Sequence, residues 1–390
     1  MMRRTILDCM TLVGTTPSRF DGEKAYVSTG AVDCDHIDYT QTESVTYGNR
    51  PSRANLSVTE GDILFAKMCG TKKTLRISKT MADHLYSTGF CAVRANEAIM
   101  IPELLYHLLA SEQFLSQKDQ NSSGATQKAI TNAGLKKITV NVPSLDEQRK
   151  LAAKLDCIED MAAKRREQLV YLEQLVKSRF IELFGDPLIN EKGWTVSKLG
   201  EYMTLLTDFS SNGSYELLDS NVVMYDEPNY AIMVRTTDLE SGNLSDGVKY
   251  IDRNAYELLA KSKIYGGELI MNKIGSAGKI YVMPKIDRPA SLGRNAFMFR
   301  FDERLNMTYL YSLLTSDYGT AEIQQYVRGA VTKTITKEST RSIRIIVPPI
   351  ALQEQFAAFV KQTDKSKLAV QQGLQELEIL KKSLMQQYFG

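Results

Sequence analysis

The chain has 390 residues, 43% of them hydrophobic, which is enough for two or three domains with cores of their own. Net charge is only +2, so bulk electrostatics do not announce a nucleic-acid binder, and no apolar run approaches the ~18–20 residues of a helical membrane span. Five scattered cysteines (Cys9, Cys34, Cys69, Cys91 and Cys157) with no CxxC pair point to a reducing cytoplasm and away from a disulfide framework or structural zinc.

In chain order, Arg3-Arg4 is followed by no apolar stretch of signal-peptide length, so a cytoplasmic protein is expected. Asp62-Ile63-Leu64-Phe65-Ala66, led by Gly61, is a short strand candidate within a basic stretch: between Arg50 and Lys79 seven basic residues stand against two acids. Pro102–Leu109 is a helix candidate, and Val140-Asn141-Val142-Pro143 is a strand end stopped by proline. Leu151, Leu155, Ile158, Ala162, Leu169, Leu172, Val176 and Leu183 then recur at threes and fours, with one polar break near Arg165. That pattern predicts one long amphipathic helix closed by Phe184-Gly185, the glycine suiting a C-cap.

The second half repeats the first. Gly266-Gly267-Glu268-Leu269-Ile270-Met271 answers Gly61–Ala66, and twelve basic residues against six acids lie between Met271 and Ile345. Sliding the chain by 205 positions lays Ala125–Thr131 on Ala330–Thr336, Val142-Pro143 on Val347-Pro348, Gln148 on Gln353, and Leu169, Leu172 and Leu175 on Leu374, Leu377 and Leu380. Phe184-Gly185 falls on Phe389-Gly390. Upstream the match weakens and the offset drifts, so the helices have diverged less than the modules before them. The predicted architecture is therefore α+β: two tandem globular modules, each followed by a long helix. The two helices are expected to pair as an antiparallel coiled coil with pseudo-twofold symmetry. The boundaries are 1–144, 145–186, 187–349 and 350–390.

No catalytic constellation stands out. His36, His84 and His107 form no HExxH or nucleophile-base pattern, and the Cys34/His36 spacing is poor for a metal. Gly275-Ser276-Ala277-Gly278-Lys279 lacks the spacing of a nucleotide-binding loop and reads as a turn. Asp62 with Lys67 has no further acid-x-Lys companion of a nuclease, and Val347-Pro348-Pro349-Ile350 lacks the amide and aromatic of an amino-methyltransferase motif. Neither a catalytic nor a metal site is expected.

The succession of module, Val-Pro-x-x-x-x-Gln and long helix, twice over, resembles the specificity subunit (HsdS) of type I restriction-modification systems. Val142–Gln148, the pair of Phe-Gly-terminated helices, and Gly193-Trp194-Thr195-Val196-Ser197-Lys198-Leu199-Gly200 carry the resemblance. The second copy departs from it in lacking the Glu before Gln353. The resemblance implies a non-catalytic subunit whose modules are target recognition domains, each reading half of a bipartite double-stranded DNA sequence. It also implies helices that set the gap and dock two methyltransferase (modification) subunits and, through them, motor-nuclease subunits. S-adenosylmethionine, ATP and Mg are expected on those partners and no cofactor in this chain. The alternative is a duplicated protein-binding scaffold without DNA recognition. The DNA-contact candidates are Lys67, Lys72, Lys73, Arg76, Gln127 and Lys128 in the first module, and Lys273, Ser276, Lys279, Arg294, Thr332, Lys333 and Arg341 in the second. The helix-interface candidates are Leu155, Leu169, Leu172, Phe184, Leu374, Leu377 and Phe389.

Overall fold

Short apolar runs bounded by glycine become strands, and the same strand plan appears twice. A computed structural model describes residues 2–125 and 127–389; Met1, Thr126 of the repeated motif and Gly390 of the final Phe-Gly pair lie outside the described residues. The chain divides into two compact units, Met1–Gln168 with Ala369–Gly390, and Leu169–Leu368.

In the first unit an antiparallel four-stranded sheet runs in the order Met10–Val13, Phe90–Ala95, Ile63–Ala66, Thr74–Arg76. A second sheet orders Glu43–Val45, Lys24–Val27, Leu85–Ser87, Ala54–Leu56, with the middle pair parallel. Met2–Thr5 pairs with Thr139–Val142. In the second unit the corresponding orders are Met203–Asp208, Ala296–Phe301, Leu269–Asn272, Ile280–Val282 and Lys249–Ile251, Ala231–Val234, Ala290–Leu292, Lys263–Ile264, again with a parallel middle pair. Thr195–Lys198 pairs with Arg344–Val347. Identical order and polarity in both units make the duplication one of fold as well as of sequence.

The expected helices form where periodicity placed them. Pro102–Leu109 has proline in its first turn, and Met307–Thr315 is its counterpart. The long helices span Leu145–Phe184 and Ile350–Phe389, 40 residues each, or ~60 Å at ~1.5 Å per residue. Ser144 and Glu147 start the first as a capping box: the Ser144 amide and hydroxyl both donate to Glu147 Oε2, at 3.0 and 2.8 Å. Its end is closed by Gly185, whose φ of +74° only glycine adopts freely, and by the Trp194 indole N–H donating to the Phe184 carbonyl at 2.8 Å.

Within each unit, segments of the two long helices run antiparallel and share the module's core. In the first unit, Leu151 and Leu155 pack in the same core as Met385 and Phe389, and Lys381 donates to Glu159 at 2.6 Å. The polar break at Arg165 lies over Gly373 of the other segment, where an added Cβ would meet the guanidinium at ordinary contact distance, 3.6 Å from Nε. In the second unit, Phe180, Phe184, Phe356 and Tyr309 form an aromatic cluster with ring centroids 4.7–5.7 Å apart. Leu155, Phe184 and Phe389 are fully buried, whereas Leu169, Leu172, Leu374 and Leu377 are half-buried.

The Val-Pro-x-x-x-x-Gln motif has a physical reading. Gln148 is fully buried; its amide donates to the Ile99 and Pro143 carbonyls at 2.7 and 3.0 Å and accepts from the Ile101 amide at 2.9 Å. Gln353 repeats this with the Arg304 and Pro348 carbonyls, at 3.2 and 2.8 Å, and the Asn306 amide, at 2.9 Å. Each glutamine staples the first turn of a long helix to the loop ahead of a module helix.

Candidate nucleic-acid interface

In each unit a β-hairpin projects basic residues from the end of the central sheet. The first joins Ile63–Ala66 to Thr74–Arg76, closed by the Ala66 amide on the Lys73 carbonyl at 3.0 Å. The second joins Leu269–Asn272 to Ile280–Val282, closed by the Asn272 amide on the Lys279 carbonyl at 2.9 Å. Lys67 and Lys273 thus begin matching tips, and Lys73 and Lys279 end them.

A second loop docks on each tip. The amides of Cys69 and Ile130 donate to the carbonyls of Lys128 and Lys67, both at 2.9 Å. In the second unit the Gly275 amide donates to Lys333 at 3.0 Å and the Ile335 amide to Lys273 at 3.1 Å. Gly124 and Gly329 turn these docking loops. A side chain at either would come within 2.3 or 2.1 Å of a backbone carbonyl, that of Gln127 or Thr332. The Ala-x-x-Lys repeat and the basic stretches, far apart in sequence, therefore meet at one place in each module. The Gly275–Lys279 stretch is a hairpin turn in which the Gly275, Gly278 and Lys279 amides are already committed, to the Lys333, Asn272 and Ser276 carbonyls.

The tips are braced differently. Lys118 is fully buried, and its ammonium donates to the carbonyls of Ala66, Met68 and Thr71 at 3.2, 2.9 and 2.8 Å. Burial pushes its pKa below the usual lysine value, partly opposed by Asp119. In the second unit the brace is apolar: Gly278 sits so close to Ile323 that an added Cβ would lie 2.6 Å from its side chain.

The candidates divide by what holds them. Lys72 pairs with Glu112 at 2.7 Å, and Lys73 donates to the Thr29 carbonyl at 2.7 Å. Arg76 lies 4.8 Å over the Tyr106 ring and 3.6 Å from Asp156, facing the long helix of its unit. Lys273 pairs with Asp208 at 2.9 Å, Lys279 stands 3.9 Å from Glu240, and Arg294 pairs with Asp219 at 3.1 Å beneath Phe209 and Tyr215. Arg341 lies exposed on the short helix Lys337–Ser342, its Cβ against Gly200. Lys67, Gln127, Lys128, Ser276, Thr332, Lys333 and Arg341 have no side-chain hydrogen bond or ion pair among the described residues and are half or fully exposed.

Asp208 was not a sequence candidate, nor was Lys337, which donates to it at 2.7 Å. Burial raises the Asp208 pKa, but Lys337, Ser211 and Lys273 overcome that and hold the carboxyl at about 2. A depressed carboxyl contributes stability that is complete above its unfolded value, near 4, and is lost as pH falls towards 2. Asp208→Asn should therefore lower stability at pH 7 and flatten the acid limb of the unfolding curve. An acid limb unchanged in the variant would count against the cluster.

Asp62, with Lys67 a fragment of a nuclease pattern, has a structural job. It accepts from the Thr59 amide at 2.8 Å and from Arg94 at 2.9 Å, and its counterpart Glu268 accepts from the Tyr265 and Gly266 amides and from Arg300 at 3.0 Å. His107, Asp156 and Glu159 bring ligand-type atoms within 4.8 Å of one another. Cations already oppose both carboxylates, Arg76 at 3.6 Å from Asp156 and Lys381 at 2.6 Å from Glu159, so the cluster is an ion-pair network.

Comparison with known proteins agrees with this arrangement. The family described as type I restriction modification DNA specificity domain matches residues 14–171 and 191–379. The MjaVIII specificity subunit of Methanocaldococcus jannaschii is 22% identical over 293 residues, 72% of this chain and 68% of the relative. The HindI specificity subunit of Haemophilus influenzae is 25% identical over 140 residues, 35% of this chain and 30% of the relative. A chain solved in a study of complex assembly and conformational transition of the type I R-M system shares the fold, with a TM-score of 0.59 at 20% identity over 99% of this chain and 97% of that one. The type I restriction-modification S subunit of M. genitalium does so with a TM-score of 0.54 at 14% identity over 100% and 96%. With one match on each copy of the repeat, together spanning most of its length, the chain belongs to the type I restriction modification DNA specificity domain family.

Proposed function

We propose that this chain is the sequence-reading subunit of a type I restriction-modification enzyme, with residues 1–144 and 187–349 as target recognition domains for the two halves of a split DNA site. The observation that carries this is the repeated tip, where Lys67 with Lys128 and Lys273 with Lys333 are brought together by backbone hydrogen bonds in each unit. Of these, Lys128 and Lys333 are exposed and unpaired among the described residues, and lysines at matching places in two differing modules suit phosphates, which every sequence has, better than base edges. Gln127, Ser276 and Thr332, unshared between the copies and exposed, suit base contacts.

The long helices serve as spacer and dock. Exposed Met161, Val170, Leu175 and Ile181 on the first and Leu368, Ile379 and Leu380 on the second offer apolar surface to modification subunits. Methyl transfer with S-adenosylmethionine, and ATP- and Mg-dependent cleavage, belong in this reading to partner subunits. Footprinting of the full chain reconstituted with modification subunits tests it: two short protected blocks flanking an unprotected gap are expected. Uniform or absent protection would favour a protein-binding scaffold. Lengthening each helix by four residues should change the tolerated gap and leave the half-site sequences alone; altered half-sites would sink the spacer role.

A further inference from the structure

Both hairpin tips expose a large apolar side chain where a turn ordinarily carries a polar one. Met68 is 38% exposed and Ile274 is 41% exposed. The two occupy the same place in the repeat, immediately after Lys67 and Lys273, and each is pinned by an isolated β-bridge to the docking loop, Met68 to Ala129 and Ile274 to Thr334. Lys118 fixes the Met68 carbonyl from beneath at 2.9 Å. In the second unit Val331, on the docking loop, is 97% exposed. Neither tip residue serves a core, yet the backbone of each is held rigidly.

A two-stranded ribbon fits the DNA major groove, where the thymine C5-methyl is the apolar group on the base edges. Lys128 and Lys333, exposed and unpaired among the described residues on the docking loop of each tip, would hold phosphates that flank such a contact. We propose that Met68 and Ile274 are specificity-determining residues, each packing on a thymine methyl in the half-site its own module reads. This rests on the proposed reading of the modules as half-site readers.

Replacing the thymines of the mapped target one at a time by uracil removes only that methyl. Binding is measured with the full chain and its modification subunits. One uracil in each half-site should weaken binding about fourfold, the value of burying roughly one methyl group. Ile274→Ala should bind the thymine duplex as weakly as the wild type binds the uracil one and lose its uracil sensitivity in one half-site only. Met68→Ala should do the same in the other half-site. Thermal stability should fall only slightly in both, because each side chain is already more than a third exposed and lies outside the cores. Variants as uracil-sensitive as the wild type, a half-site without an A·T pair, or no sensitive position at all would overturn the contact. So would brightening of a neighbouring 2-aminopurine without uracil sensitivity, which would mean wedging between bases. Each of these leaves the bipartite footprint intact, whereas failure of the half-site reading abolishes the footprint itself.

Discussion

Replacing Gln148 with leucine should lower the stability of the first unit by about 3 kcal/mol, at roughly 1 kcal/mol for each of three hydrogen bonds lost from a fully buried amide. Leucine restores the volume but leaves the Ile99 and Pro143 carbonyls and the Ile101 amide without partners. Gln148→Glu should be at least as damaging, because a carboxylate loses both donors and brings a charge into the core. The loss should be local, since the Gln148 contacts all lie in the first unit and those of Gln353 all lie in the second. Hydrogen exchange of the full chain reads this directly. In the Gln148 variant, amides of Pro102–Leu109 and of the first turns after Leu145 should lose protection, while those of Met307–Thr315 keep it; Gln353→Leu should reverse the pattern. Wild-type protection around Gln148→Leu would show that the motif does not staple helix to module.

Such repeated features were legible because the physics behind them is local. A glutamine five residues after a proline, leucines at threes and fours, and a glycine after the last turn each act over a few residues, and the 205-residue offset shows them twice. Strands such as Ile63–Ala66 were legible as glycine-led apolar runs. The state of the basic residues was not. Lys72 finds Glu112 40 residues away, Lys273 finds Asp208 65 residues away and Arg294 finds Asp219 75 residues away, and sheet order rather than spacing creates those encounters. Net positive stretches therefore located the hairpins but could not separate committed cations from available ones. The drifting offset lays Lys67-Met68 on Lys273-Ile274, but the exposure of Met68 and Ile274 was not legible, because nothing local tells an apolar residue left at a turn from one buried in a core. Lys118 carried no signal at all: in sequence it is one lysine on a polar helix, and its partners are the carbonyls of a distant turn.

Lys118→Met should selectively disable the first module's half-site. Its ammonium is the shared donor for three carbonyls of the tip that presents Lys67 and Met68. Methionine approximates the length of the stem and supplies no donor. Carbonyls that can turn to water will do so, which means the tip abandons the geometry set by the Cys69–Lys128 and Ile130–Lys67 hydrogen bonds. Two hydrogen bonds' worth of lost order, about 2 kcal/mol, corresponds to an affinity loss of about 30-fold. That loss should fall on discrimination at one half-site: base substitutions there should cease to matter, while those in the other half-site keep their effect. Lys118→Arg, which restores a cation but forks its donors, should recover only part of the function. The second module provides the internal control. Its tip leans on Ile323 through Gly278, and among the described residues no lysine donates to its carbonyls, so Ile323→Val should trim packing by about 1 kcal/mol and leave its half-site selectivity in place. Equal loss at both half-sites in Lys118→Met would mean that the ammonium supports the unit as a whole, and full retention would mean that the tip does not read DNA.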